Sequence, residues 1–212
     1  MTWLDCCMDV SHWNGDIDWT LVDPSIALVF VKATEGSSFV DPKFADNKAG
    51  VLESGRMMVP YHFFDASDVQ AQIAHFHQFC TPGTPFMVDW EGHISRAGSA
   101  ADVETFGTQL AAGLGDVPIV GYWGLPGDSP AAPTVVMATW TRLIPRWPVI
   151  DANSLTDIPV DRLNEIDAPF WQYTDQGRVA GFPTINVDRS AWNGTLDELR
   201  AWYYGAAKGA IA

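Results

Sequence analysis

The sequence predicts an α/β protein of barrel-like architecture, with eight mainly parallel strands and some of the intervening helices short or missing. Three observations point there. Short apolar runs recur eight times at fairly even intervals. They are continuous rather than alternating, which is the pattern of strands buried on both faces of a parallel sheet. Helical patterns lie between several of them, as in βα units. The length of 212 residues, with 47% hydrophobic and 18% charged residues, suits one packed core and argues against disorder. A single domain over 1–212 is expected, with its core at about 5–204 and a bland tail from Gly205 that frays.

The strand candidates follow in order. Met8-Asp9-Val10, Leu28–Val31, Met57-Met58-Val59 with Tyr61, and Phe86-Met87-Val88 make the first four. Pro118-Ile119-Val120, Pro148-Val149-Ile150, Phe170–Tyr173 and Ile185-Asn186-Val187 make the second four. Asp41-Pro42 opens a helix carrying Phe44, Lys48, Val51 and Leu52, with Gly55 as its stop. Ser67-Asp68-Val69-Gln70 reads as a capping box before Ile73, Phe76 and Phe79. Val103, Phe106 and Leu110 mark a third helix, and the capping box Thr195–Glu198 starts a fourth with Leu199, Trp202 and Tyr203. Gly124–Pro133 is rich in Pro and Gly and reads as a surface loop or a lid.

Charge removes two classes of partner. The formal net charge of −14 argues against nucleic acid, whose binders present a basic face, and against an anionic membrane surface. No run reaches the roughly 18 apolar residues of a spanning helix. The N-terminus shows no basic, apolar leader. Cys6, Cys7 and Cys80 cannot all pair, so a reducing compartment is the simplest expectation. No motif for zinc, phosphate or a nucleophilic serine occurs, and no metal is expected. The ten Trp residues fit core packing as well as sugar stacking.

The chemistry lies in what ends each apolar run. Asp9 lies in the first, Tyr61-His62 closes the third, and Asp89-Trp90-Glu91 closes the fourth. Tyr122 closes the fifth, Asp151 the sixth, Gln172 lies in the seventh and Asp188 ends the eighth. In a parallel barrel the C-terminal strand ends open on one face, where active sites are built. Asp89 and Glu91 are two apart, so in strand geometry they point the same way with Cα atoms about 6–7 Å apart. Two carboxylates that close repel, which raises one pKa and keeps an acid protonated for a glycosidic oxygen. Taken alone, Asp-x-Glu is also compatible with solvated loop acids. His62 suits either a hydrogen bond to substrate or a structural role.

These residues resemble a known family. Met8-Asp9-Val10-Ser11-His12-Trp13-Asn14-Gly15 with Ile17-Asp18-Trp19 is similar to the opening of family 25 glycoside hydrolases, the Chalaropsis-type N-acetylmuramidases. Phe30–Gly36 with Asp41-Pro42, Tyr61-His62-Phe63, Val88–Glu91, Trp171–Thr174, and Val187-Asp188 with Trp192–Thr195 resemble its later blocks. The resemblance implies a flattened, irregular (β/α) TIM-like barrel that cleaves the β-1,4 bond between N-acetylmuramic acid and N-acetylglucosamine. It places the proton donor at Glu91 and further site carboxylates at Asp9, Asp89 and Asp188. Tyr61, His62, Tyr122 and Gln172 are the candidate substrate-binding residues. No cofactor is expected, since this chemistry runs on carboxylates. Peptidoglycan glycan strands are the expected partner, and the protein is expected to be a monomer. A phage endolysin, held in the host cytoplasm until release, is the expected context, with a bacterial autolysin or toxin secreted by a non-standard route as the alternative. A chitinase-like enzyme, a glucosaminidase and a non-catalytic peptidoglycan-binding protein stay as alternatives. Arg146–Asn153, including Asp151, and Gly121–Pro133 depart from the family pattern.

Overall fold

The computed structural model describes residues 2–91, 98–123, 133–146, 155–158, 166–184 and 186–209. Within them the chain forms β1 (Trp3–Val10), β2 (Leu28–Glu35), β3 (Phe39–Val40), β4 (Met57–Phe63), β5 (Phe86–Trp90), β6 (Ile119–Trp123), β7 (Thr141–Pro145), β8 (Phe170–Gly177) and β9 (Val187–Asn193). The described helices are α1 (Phe44–Glu53), α2 (Val69–His77), α3 (Ala100–Gly113) and α4 (Leu196–Gly209). None is long and apolar enough to cross a membrane.

The strands join in the order β1-β9-β8-β7-β6-β5-β4-β2-β3, and β1 also pairs with β2. That extra pairing closes eight strands into a barrel and leaves β3 as an antiparallel edge on β2. All barrel neighbours are parallel except those of β9, which is antiparallel to both β8 and β1. Eight mainly parallel strands were expected, and the closed, mixed barrel agrees. The link between β1 and β2 carries a short 3-10 turn (His12–Asn14) and no α-helix, in keeping with a barrel that lacks some helices.

Three local expectations need correction. The sixth strand is Thr141–Pro145, and the Pro148–Ile150 run lies outside the described residues, as does Asp151. Asp188 does not end its strand but stands second in β9. Because β9 is reversed, its start lies at the same rim as the ends of the parallel strands. The N-cap of α2 is Asp68 rather than Ser67, since Asp68 Oδ1 accepts from the Ala71 backbone N–H at 2.8 Å. The box at Thr195 forms as expected: the Thr195 N–H donates to Glu198 Oε2 at 2.7 Å and the Glu198 N–H donates to Thr195 Oγ1 at 3.3 Å.

Alternation along the strands sorts residues into two sets. Val29, Val31, Val88 and Trp90 pack outward with Phe76 and Phe106 of α2 and α3. Leu28, Phe30, Val59, Met87, Val120 and Phe170 face the barrel interior. Leu199 and Tyr203 of α4 join that interior set, and the Tyr203 hydroxyl donates to the Met58 carbonyl at 2.9 Å. Leu28, Met57 and Phe170 begin their strands, so α4 seals the N-terminal end of the barrel. The inward parity continues upward as Phe30-Lys32, Val59-Tyr61, Met87-Asp89 and Val120-Tyr122. The interior therefore turns from apolar at its closed end to polar at its mouth.

Candidate active site

The mouth holds a cleft of about 770 Å³. Asp9, Asp89, Glu91 and Asp188 all line it, with Tyr61, Tyr122 and Gln172. Each arrives by the parity just described. Trp90 is fully buried on the outer side of β5, which puts Asp89 and Glu91 together on the inner side. Asp9 and Asp188 are direct partners in the β1–β9 register, so the reversed strand brings two carboxylates that are 179 residues apart into contact.

A hydrogen-bonded chain orders this wall. The Tyr122 hydroxyl donates to Gln172 Oε1 at 3.1 Å, and Gln172 Nε2 donates to Asp9 Oδ2 at 3.0 Å. The amide orientation follows, because Asp9 can only accept on that oxygen. Asp9 and Asp188 meet across the β1–β9 pair, so the charge of one bears on the ionisation of the other. Burial first, and the Asp188 charge second, push Asp9 well above the usual carboxylate range. Asp188 rises to about 6, mainly through burial. Asp89 is also pushed well up, first by burial and then by the Glu91 charge, while Lys32 acts in the opposite direction. Its Oδ1 is buried and has no hydrogen-bond partner among the described residues. Burial and the surrounding carboxylates push the phenols of Tyr61 and Tyr122 upward. Both therefore stay protonated and serve as neutral hydrogen-bond groups.

This cluster has a consequence for stability. The folded-state pKa of Asp188 lies above its unfolded value of 3.8. The folded state then holds the extra proton between about pH 6 and 4, and stability rises as pH falls through that window. Above it the ionised group costs stability, with a ceiling of about 3 kcal/mol. Asp188→Asn is expected to be more stable than wild type in urea unfolding at pH 7, with the gap closing by about pH 4. A less stable variant at pH 7 would show that the carboxylate holds the rim together.

His62 lies elsewhere. It points outward from β4 and is fully buried, stacked on Phe106 with centroids 4.7 Å apart. Gln72 Nε2 donates to the carbonyls of Asp65 and Ser67, so Gln72 Oε1 accepts from His62 Nε2 at 2.9 Å. His62 Nδ1 accepts from the Thr34 hydroxyl at 2.7 Å. Burial lowers its pKa to about 4, so this is a neutral core histidine tying α2 to the sheet. Its neighbour Tyr61 faces the cleft, as strand alternation requires.

Other lining residues were not singled out in the sequence. Lys32 is buried, with its ammonium 2.8 Å from Glu35 Oε2 and 4.7 Å from the Phe63 ring centroid. Its parity with Phe30 was a usable signal. Ser11, Trp13 and Asn14 come from the 3-10 turn after β1, and Asp175, Pro183, Thr184 and Asn186 from β8 and the loop after it. Those last four carried no signal, since nothing local says that this loop folds over the mouth. The Asp18 N–H donating to the Gly181 carbonyl at 2.8 Å, with Gly181 at φ 90°, places it there.

A carboxylate-lined cleft at the C-terminal mouth of a closed (β/α) barrel suits glycoside hydrolysis, which runs on paired carboxylates. The chain belongs to the glycosyl hydrolases family 25, whose family model matches residues 8–182. It is similar to the uncharacterized protein YegX of Escherichia coli K12, 32% identical over 213 residues, covering 93% of this chain and 73% of that one. It is similar to Lysozyme M1 of Streptomyces globisporus, 26% identical over 215 residues, covering 92% and 69%. Its fold matches the crystal structure of a bacterial lysozyme from Streptomyces coelicolor with a TM-score of 0.71, at 24% identity, covering 94% and 96% of the two chains.

Proposed function

We propose that the protein is a muramidase, which hydrolyses the β-1,4 bond from N-acetylmuramic acid to N-acetylglucosamine in peptidoglycan. The observation that carries the reading is the pair Asp89 and Glu91 side by side in the cleft, opposite the register-paired carboxylates Asp9 and Asp188. The lysozyme named among its relatives supports the choice of substrate.

Glu91 stands at the more open edge of the pair and acts as general acid toward the leaving oxygen. Asp89 lies deeper, on the side of the anomeric carbon whose bond to the leaving oxygen is broken. As the anomeric carbon gains positive charge, an ionised carboxylate there becomes more favourable, which is the sign that transition-state stabilisation requires. Asp9, Asp188, Gln172 and Tyr122 form a connected hydrogen-bonding wall that fixes the sugar's orientation.

The test is the identity of the new reducing end. Purified peptidoglycan treated with the protein and then reduced with borohydride is expected to yield muramitol. Glucosaminitol in its place would assign a glucosaminidase, and binding without any new ends would assign a wall-binding protein. The three cysteines carry free thiols, which supports action from a reducing cytoplasm after release, as an endolysin does.

A further inference from the structure

Trp13 is the most exposed aromatic residue among the described ones at 78%, yet it sits on a rigid support. The 3-10 turn that carries it is tied at both ends. The Ser11 N–H donates to Asn14 Oδ1 at 2.8 Å, and Asn14 Nδ2 donates to the Asn186 carbonyl at 3.4 Å. Gly15 follows at φ 72°, and a Cβ there would meet Pro183 at 2.9 Å. Beneath the indole, 4.5 Å away, lies the His12 ring. Buried Asp41 holds His12 twice through one oxygen, accepting from its backbone N–H at 3.0 Å and from Nδ1 at 2.7 Å. On the far side of His12, at 5.8 Å, is Phe39 of β3, itself 41% exposed. Lys32 then links Phe39 to Phe63, its ammonium 5.9 and 4.7 Å from the two rings.

Trp13, Lys32 and Phe63 all line the cleft, so the row is continuous with it. It starts beside the catalytic pair, where Phe63 is the β4–β5 register partner of Asp89, and leads away from it through Lys32 and His12 to Trp13, beyond the end of β1. An indole left in water contributes little to the core. Held in one position by such a support, it offers a flat apolar face at low entropic cost, which suits the apolar face of a sugar ring.

We propose that Trp13, with Phe39 behind His12, forms an outer saccharide subsite that takes a sugar beyond the two flanking the cleaved bond, so that the enzyme prefers long glycan strands. This rests on the muramidase reading and adds the length of strand engaged.

The experiment measures binding of peptide-free peptidoglycan strands to the Glu91→Gln protein by calorimetry. Two substrates are compared, a tetrasaccharide and strands several times longer. Adding Trp13→Ala is expected to weaken long-strand binding about tenfold, and Phe39→Ala to act in the same direction. Trp13→Phe is expected to keep most of the affinity, because stacking survives. The tetrasaccharide is expected to lose less than about threefold. Equal losses at both lengths, or no loss at either, would overturn the outer subsite. So would a concentration-dependent mass that Trp13→Ala abolishes, which would assign the ledge to self-association. If the Glu91→Gln protein binds neither glycan and the wild type cleaves none, the muramidase reading itself fails. Intact binding that ignores Trp13 and Phe39 removes only the ledge.

Discussion

Replacing Glu91 by Gln is expected to lower the release of reducing ends from peptidoglycan by roughly 10²–10⁴-fold while leaving glycan binding in place. Gln keeps the shape and hydrogen bonds of the side chain but has no proton to give. The loss should therefore depend on how badly the leaving group needs one. A sugar oxygen leaving as an alkoxide needs it fully, whereas a nitrophenolate leaves unaided. With an aryl glycoside of the same sugar, Glu91→Gln is expected to lose about tenfold or less. Rates on the two substrates, measured in parallel, check this. An equal loss on both would remove Glu91 from the proton-donor role and leave it as a binding residue.

Asp89→Asn is the second large effect, and it separates catalysis from folding. Asp89 is buried beside Glu91, and its Oδ1 has no described partner. A neutral amide removes a charge that burial and Glu91 both disfavour. The thermal midpoint at pH 7 is therefore expected to rise, by a few degrees for a gain of about 1–2 kcal/mol. Activity is expected to fall by about 10²–10³-fold, because the charge facing the developing oxocarbenium ion is gone. Here the aryl glycoside should suffer as much as peptidoglycan, since the deficit lies at the sugar and not at the leaving oxygen. A variant that is both less stable and less active would point to a structural carboxylate instead. The pair of substitutions thus assigns the two neighbours different roles by substrate dependence alone.

Asp188→Asn, with its expected gain in stability at pH 7, belongs to the same physical picture. Carboxylates gathered at a barrel mouth repel one another and lose water, and the rest of the fold must offset that cost. Val31, Val88 and Trp90 on the outer face, and Phe30, Val59 and Phe170 within, supply the burial that does so.

Much of this was legible in the residue order. Continuous apolar runs marked buried parallel strands because both faces of such strands are covered, and β2, β4 and β5 are buried along nearly their whole length. Carboxylates at the ends of those runs marked the mouth, since parallel strands share one polar end. Strand alternation put Asp89 with Glu91 on the inner side and Trp90 on the outer, and it would have found Lys32. The family blocks, ordered from Met8 to Thr195, named the chemistry.

Pairing decided the rest. β7 forms at Thr141–Pro145, where Leu143 and Ile144 match Phe170 and Trp171 of β8, and no local pattern announces that match. The direction of β9 was invisible, because strand propensity has no sign along the chain. That direction makes Asp188 the partner of Asp9 instead of a residue at the barrel's opposite end. His62 turned out to be a core residue for the same reason in reverse. Its partners Thr34, Gln72 and Phe106 come from three other elements, and only their packing removes it from water. Local sequence determines what each segment prefers to be. Which segments meet, and so which carboxylates come face to face, is decided by closure of the barrel.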